Sequence, residues 1–202
     1  MTEVLLIRHG QTLWNESGKY QGHTDVALSP EGQKQAQMLR DKLKTKKITA
    51  FFASDLSRAY ETAKIIAEPH QKEVTVLPEF RELNFGQWEG LSYDEIMADY
   101  GDIATKWYNA PGNVCIPGGE SCEQLQERSH RALLNLVQKY PEERIAIISH
   151  GGTIRGVISA AMGWSLDCFW SLSQGNTALN ILQFYGDKAI LKLYNDICHL
   201  NL

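Results

Sequence analysis

The chain has 202 residues, of which 43% are hydrophobic and 22% charged, close to an average globule and unlike disordered, collagenous or coiled-coil sequences. Twenty basic and 24 acidic residues leave a net charge of −4, which argues against a general nucleic-acid binder, since those are usually basic. A chain this long fits one domain, or one domain with an insertion, and can bury roughly 70% of the surface it exposes when unfolded, so it needs no disulfide or metal staple.

Val4 to Ile7 is a continuous apolar run, the pattern of a strand buried on both faces. Ser29-Pro30 offers an N-cap followed by proline at the first helical position, with Leu39 and Leu43 on one face of the helix that follows. Ile48 to Ala53 reads as a strand, and Ser54 or Asp55 as the cap of a second helix carrying Leu56, Ala59, Tyr60, Ala63 and Ile66. Val74 to Leu77 is a further strand candidate. From about Trp88 to Pro111 the alternation breaks into short acidic helical patterns, followed by a Pro/Gly stretch to Gly119. Ser121 and Gln124 then form a capping-box pattern, and a stripe from Leu125 to Tyr140 predicts a helix ending before Pro141. Ile145 to Ile148 repeats the buried-strand pattern, and Gly151 or Gly152 opens a helix through Ile154, Val157, Ile158 and Ala161. Thr177 to Phe184 and Ala189 to Leu193 close the series as strands. Strands alternating with helices predict an α/β fold with a mostly parallel central sheet. We read one domain over 1–202, with a cap insertion over approximately 84–142.

No apolar run approaches the roughly 18 residues of a spanning helix. Met1-Thr2-Glu3 lacks the basic segment of a secretory leader, so the expected compartment is the cytoplasm, with neither membrane nor nucleic acid as a partner. Cys115, Cys122, Cys168 and Cys198 show neither a CxxC pair nor metal-ligand spacing.

Two buried strands end alike, one in Arg8-His9-Gly10 and the other in Ser149-His150-Gly151-Gly152. In an open parallel sheet, ligands bind beyond the carboxyl ends of the strands, and the helix opening at Gly151 adds free N–H groups and a positive dipole end. With Arg8 and Arg58, two histidines and a helix N-terminus form a site for a small dianion. Phosphate fits best, because arginine binds it through paired hydrogen bonds. Zinc is the competing use of two histidines, but the flanking arginines oppose a cation and no third ligand has the right context; no metal or other cofactor is expected.

The sequence resembles the histidine phosphatase superfamily, also called phosphoglycerate-mutase-like, over nearly its whole length. The resemblance rests on Leu6 to Asn15, Gln21-Gly22, Asp25 to Ser29, Ser54 to Ala59, Arg81 to Gly90, Pro117 to Ser121 and Ser149 to Gly152. It implies a three-layer sandwich with a small helical cap, and a covalent mechanism in which neutral His9 attacks phosphorus. In that scheme Arg8, Arg58 and His150 hold the phosphoryl oxygens, and Asn15, Gln21, Gly22 and Gly151 match further phosphate contacts. Glu82 matches the general acid, which gives its proton to the leaving alkoxide and later takes one from water. The residues alone do not separate Glu82 from Glu79 or Glu89; the motif does.

Within the superfamily, the short chain, Gln21, and the stretch Glu82 to Gly90 resemble the phosphatase branch rather than the mutases. Asn84-Phe85-Gly86 and Pro117 to Ser121 are similar to α-ribazole-5′-phosphate phosphatases and to broad-specificity phosphomonoesterases. The C-terminal Leu191 to Leu193, Asn195 and Cys198-His199-Leu200 are similar to metal-independent phosphoserine phosphatases. The implied partner is a small phosphorylated metabolite, with a homodimer as a further possibility. Trp88, Tyr93, Trp107, Tyr108 and the Pro111 to Gly119 loop either wall the leaving-group site or pack the cap. Trp164, Phe169 and Trp170 read better as core than as interface, and His199 as a solvated tail residue.

Overall fold

A computed structural model of the chain describes residues 1–186 and 188–200. Its centre is a six-stranded sheet in the order β3-β2-β4-β1-β5-β6, where β1 is Thr2–Arg8, β2 Ala50–Ala53, β3 Val74–Val76, β4 Arg144–Ser149, β5 Leu179–Tyr185 and β6 Lys188–Asp196. β1, β2, β3 and β4 run parallel, while β5 pairs antiparallel with both β1 and β6. Side chains alternate across the sheet. Leu5 and Ile7 pack against Leu39, Leu43, Ala59 and Ile66 of helices α2 (Pro30–Leu43) and α3 (Ser57–Ala67). Val4 and Leu6 face Leu133, Leu136, Ile154 and Val157 of α5 (Cys122–Lys139) and α6 (Gly151–Met162). Helices on both faces explain why β1 and β4 are apolar without alternation. A short α1 (Leu13–Glu16) follows β1. None of the described helices is long and apolar enough to cross a membrane.

A third core of Leu83, Phe85, Trp88, Ile96, Trp107, Cys122, Leu125 and Phe169 lies outside the sandwich. It gathers around α4 (Tyr93–Asn109), which opens on a Ser92–Glu95 capping box and kinks at Tyr100. The separate cap core ends within α5 near Leu125, short of the expected 142, because Leu133 and Leu136 turn to the sheet. It also recruits Phe169 from a 3-10 segment after α6, outside the expected insertion.

Ser29 and Ser121 cap their helices as the sequence predicts, their hydroxyls accepting from Gly32 and Gln124 N–H. α3 differs. Its first helical residue is Ser57, and neither Ser54 nor Asp55 is its cap. The Asp25 carboxylate, 32 residues away, accepts from both the Ser57 N–H and hydroxyl at 2.8 Å, while Asp55 is drawn off by the Arg81 guanidinium. Thr177 also falls outside its strand; its φ of +53° places it in a turn two residues before β5.

Candidate active site

Register alone brings the two motifs together. Ile7 pairs with Ile148 and Arg8 with Ser149, so β1 and β4 end side by side and their next residues, His9 and His150, leave the sheet as neighbours with ring centroids 5.1 Å apart. Both rings are buried. The His9 Nδ1 lies 2.7 Å from Gly10 O. A carbonyl can only accept, so Nδ1 carries the proton and the lone pair sits on Nε2. Burial, Arg58 and Arg8 hold the His9 pKa well below that of an ordinary histidine, against the Gly10 bond. Burial, Arg58, His9 and Arg8 do the same to His150, neither of whose ring nitrogens has a protein partner among the described residues.

Arg8, Arg58, Asn15, Gln21, Gly22, Gly151 and Glu82 line a cavity of about 260 Å³ with His9. Arg8 donates from Nη1 to Gln174 O at 2.6 Å; burial lowers its pKa to about 10 against the pull of Glu82, so it stays charged. Fully buried Arg58 donates to Thr24 O and Gly22 O, at 2.9 and 2.7 Å. The Nε of each is buried without a partner, an arrangement costly unless an anion completes it. Asn15 Oδ1 accepts from Thr12 N–H and from Asn176 Nδ2, which leaves its Nδ2 for a ligand. Gln21 Oε1 is buried and unpartnered.

The three glutamates separate clearly. Glu79 is exposed and does not line the cavity. Glu89 does not line the cavity either; its carboxylate accepts from His23 N–H, Thr24 N–H and the Thr24 hydroxyl. Gly22, at φ +53°, must be glycine there, since an added Cβ would come within 2.0 Å of Glu89 Oε1. Glu82 alone faces His9's cavity. Its carboxylate accepts from Leu83, Gly152 and Thr153 N–H at 2.8, 3.0 and 3.1 Å, and so caps α6, whose N-cap His150 gives no side-chain bond. Of the α6 N–H groups, that of Gly151 is the one left facing the ligand end.

Around these residues stands a supporting shell that the sequence did not disclose. Thr62 Oγ1 accepts from Gly10 N–H and donates to Arg58 O within α3, tying that helix to the segment after β1. Thr177 N–H and Asn176 Nδ2 both donate to His9 O, each at 3.2 Å. His199, expected in solvent, is buried; its Nε2 donates at 2.9 Å to Thr177 Oγ1, which itself donates to Asn176 O. Arg128 spans the Glu82 segment, donating to Glu79, Arg81 and Glu82 carbonyls and pairing with Glu120. Arg155 lines the cavity itself. It could have been found from spacing, since it stands four residues after Gly151 and shares its helix face.

The aromatic wall is not the one expected. Trp88 and Trp107 are fully buried in the cap core, and neither they nor Tyr93, Tyr108 or the Pro111 to Gly119 loop line the cavity. Trp14, Tyr20, Phe85, Phe169 and Trp170 do. Of the three aromatics expected in the core, Phe169 is there, whereas Trp164 and Trp170 are 45% and 37% exposed. Among the described residues no group of three or more His, Cys, Asp or Glu side chains is placed to hold a metal ion.

Residues 4–197 match the model of histidine phosphatase superfamily branch 1, and the chain belongs to that family. Phosphoglycerate mutase-like protein 4 of Arabidopsis thaliana is 37% identical over 98% of this chain and 86% of its own. A phosphoserine phosphatase from Entamoeba histolytica, solved with phosphoserine, is 31% identical, with a TM-score of 0.90 over 99% and 100% of the two chains. An Escherichia coli structure described as a putative α-ribazole-5′-P phosphatase is 26% identical, with a TM-score of 0.89 over 97% of each. Within the family the chain is a phosphomonoesterase, a hydrolase.

Proposed function

We propose that His9 Nε2 is the nucleophile and that the chain cleaves a small phosphate monoester in two displacements. In the first, the Nε2–phosphorus bond forms as the bond from phosphorus to the ester oxygen breaks, and protonated Glu82 gives its proton to the departing alkoxide. In the second, Glu82 takes a proton from water, whose oxygen replaces His9 on phosphorus and releases inorganic phosphate. Arg8, Arg58, His150, Asn15, Gln21, Gly22 and the Gly151 N–H surround the transferring group, and the arginines offset its charge where it grows. The observation that carries this reading is the His9 tautomer, with Nδ1 tied to Gly10 O and Nε2 free in a cavity that also holds Glu82. Rapid quenching with 32P-labelled phosphoserine should trap an acid-labile phosphoenzyme, absent in His9→Ala. Full turnover by His9→Ala would exclude the mechanism.

Phosphoserine is the substrate this reading favours, supported by likeness over the full chain to a phosphoserine phosphatase. α-Ribazole phosphate is the second, supported by the aromatic rings of Trp14, Tyr20 and Trp170 at the cavity and by likeness to the ribazole enzyme. Comparing kcat/KM for phosphoserine, α-ribazole phosphate, 3-phosphoglycerate and p-nitrophenyl phosphate ranks them. Interconversion of the phosphoglycerates faster than hydrolysis would reverse the choice of phosphatase chemistry.

A further inference from the structure

The eight arginines of the chain divide by partner. Arg40, Arg81, Arg128, Arg131 and Arg144 each pair with a carboxylate. Among the described residues, the three with no such pair are Arg8, Arg58 and Arg155, and all three line the one cavity. The first two stand at the histidines. Arg155 stands a helical turn further along α6, at the end of the cavity formed by Phe169 and Trp170.

Its orientation is fixed. Nε donates to Leu172 O at 2.6 Å, and the guanidinium lies over the rings of Phe169 and Trp170, 5.6 and 5.2 Å from their centroids. A cation anchored through Nε and packed against two aromatic rings loses little freedom when it binds a second group. Neither terminal nitrogen bonds a protein acceptor among the described residues, and neither is buried without a partner, so both are reachable from the cavity. Glu82, whose opposing charge acts most strongly on Arg155, already gives its oxygens to three backbone N–H groups.

We propose that Arg155 is a specificity-determining residue, receiving the carboxylate of the leaving group and so selecting phosphate esters of small hydroxy acids. A phosphate held at His9 and a carboxylate one helical turn away match an ester of a three-carbon acid. The carboxylate would complete the paired hydrogen bonds that the open guanidinium edge offers. A leaving group without an anion would cover Arg155 and leave a desolvated charge unpaired, which is costly. The inference rests on the phosphomonoesterase reading above, and its test separates the two.

Phosphoserine and phosphoethanolamine differ by the carboxylate alone. Their binding to His9→Ala, measured by calorimetry with and without Arg155→Met, reads the contact without turnover. Arg155→Met should weaken phosphoserine by about 10- to 100-fold and phosphoethanolamine by less than about twofold, with Arg155→Lys recovering part of the loss. Equal weakening of both ligands would make Arg155 a support for the Leu172 segment or for the phosphate, and no weakening of phosphoserine would leave it without a role; either result overturns the proposal. Failure of the phosphatase reading shows instead as wild-type protein that turns over none of the monoesters, p-nitrophenyl phosphate included.

Discussion

The His9 ring keeps a free lone pair on Nε2 because Nδ1 carries the proton and donates it in a hydrogen bond to Gly10 O, while burial, Arg58 and Arg8 oppose a second proton. His150 is held neutral in the same way, by burial and the same two arginines. Imidazole nitrogen NMR should therefore find both rings neutral at pH 6, where an ordinary histidine is mostly protonated; a charged His9 ring at that pH would contradict its proposed role as nucleophile. The same shifts set a stability trend. Both folded-state pKa values lie below the unfolded value near 6.5, so below that pH the unfolded chain binds protons that the folded chain does not, and stability falls as pH falls. Each ring contributes a slope of about 1.4 kcal/mol per pH unit. Urea unfolding at pH 7, 6 and 5 should show a shallower decline for His9→Gln/His150→Gln than for wild type. These two histidines were legible because each follows a buried strand and precedes glycine, a local pattern. His199 was not, since its partner Thr177 lies 22 residues away and nothing beside it marks it as buried.

Elements whose signals are local were legible, and those held from a distance were not. The apolar runs of β1 and β4, and the serines capping α2 and α5, carry their own reasons to form. α3 and α6 instead start on carboxylates from elsewhere in the chain, Asp25 and Glu82. The Glu82 segment is in turn fixed by Arg128 of α5, which holds three of its carbonyls at 2.7 to 2.9 Å and pairs with Glu120. Glu120 also accepts from Asn84 N–H at 2.9 Å, so the Pro117 to Ser121 motif works as a clamp on the Glu82 segment rather than as a wall of the cavity. Arg128→Met removes those bonds and strands a mostly buried carboxylate, at a cost of about 3 kcal/mol. With Glu82 no longer fixed, kcat should fall by at least about tenfold. Glu120→Gln keeps the carbonyl contacts and should cost less on both counts. Chemical denaturation and steady-state kinetics check the pair; an Arg128→Met variant of wild-type stability and kcat would remove the clamp from the account.

The whole molecule joins a sandwich and a cap whose cores do not merge, and α5 runs through both, with Cys122 and Leu125 in the cap and Leu133 and Leu136 on the sheet. That continuity was hidden in the sequence, where one unbroken apolar stripe gives no sign of serving two cores. It predicts cooperative unfolding, because the cap cannot loosen without releasing the helix that covers the sheet. The five tryptophans make this measurable. Trp88 and Trp107 lie in the cap core, Trp170 meets Trp107 edge-to-face with ring centroids 5.1 Å apart, and neither sheet core contains a tryptophan. Three of the five tryptophans thus report on the cap, and the two buried ones make it the main source of the fluorescence change, while far-UV circular dichroism follows the whole chain. The two urea transitions should coincide, the signature of two-state behaviour. Trp107→Ala, which empties a fully buried site, should cost about 3 to 5 kcal/mol and shift both transitions together. A fluorescence midpoint well below that from dichroism, in wild type or in the variant, would mean that the cap unfolds first, and that α5 divides at its middle rather than coupling the cap to the sheet that carries His9 and His150.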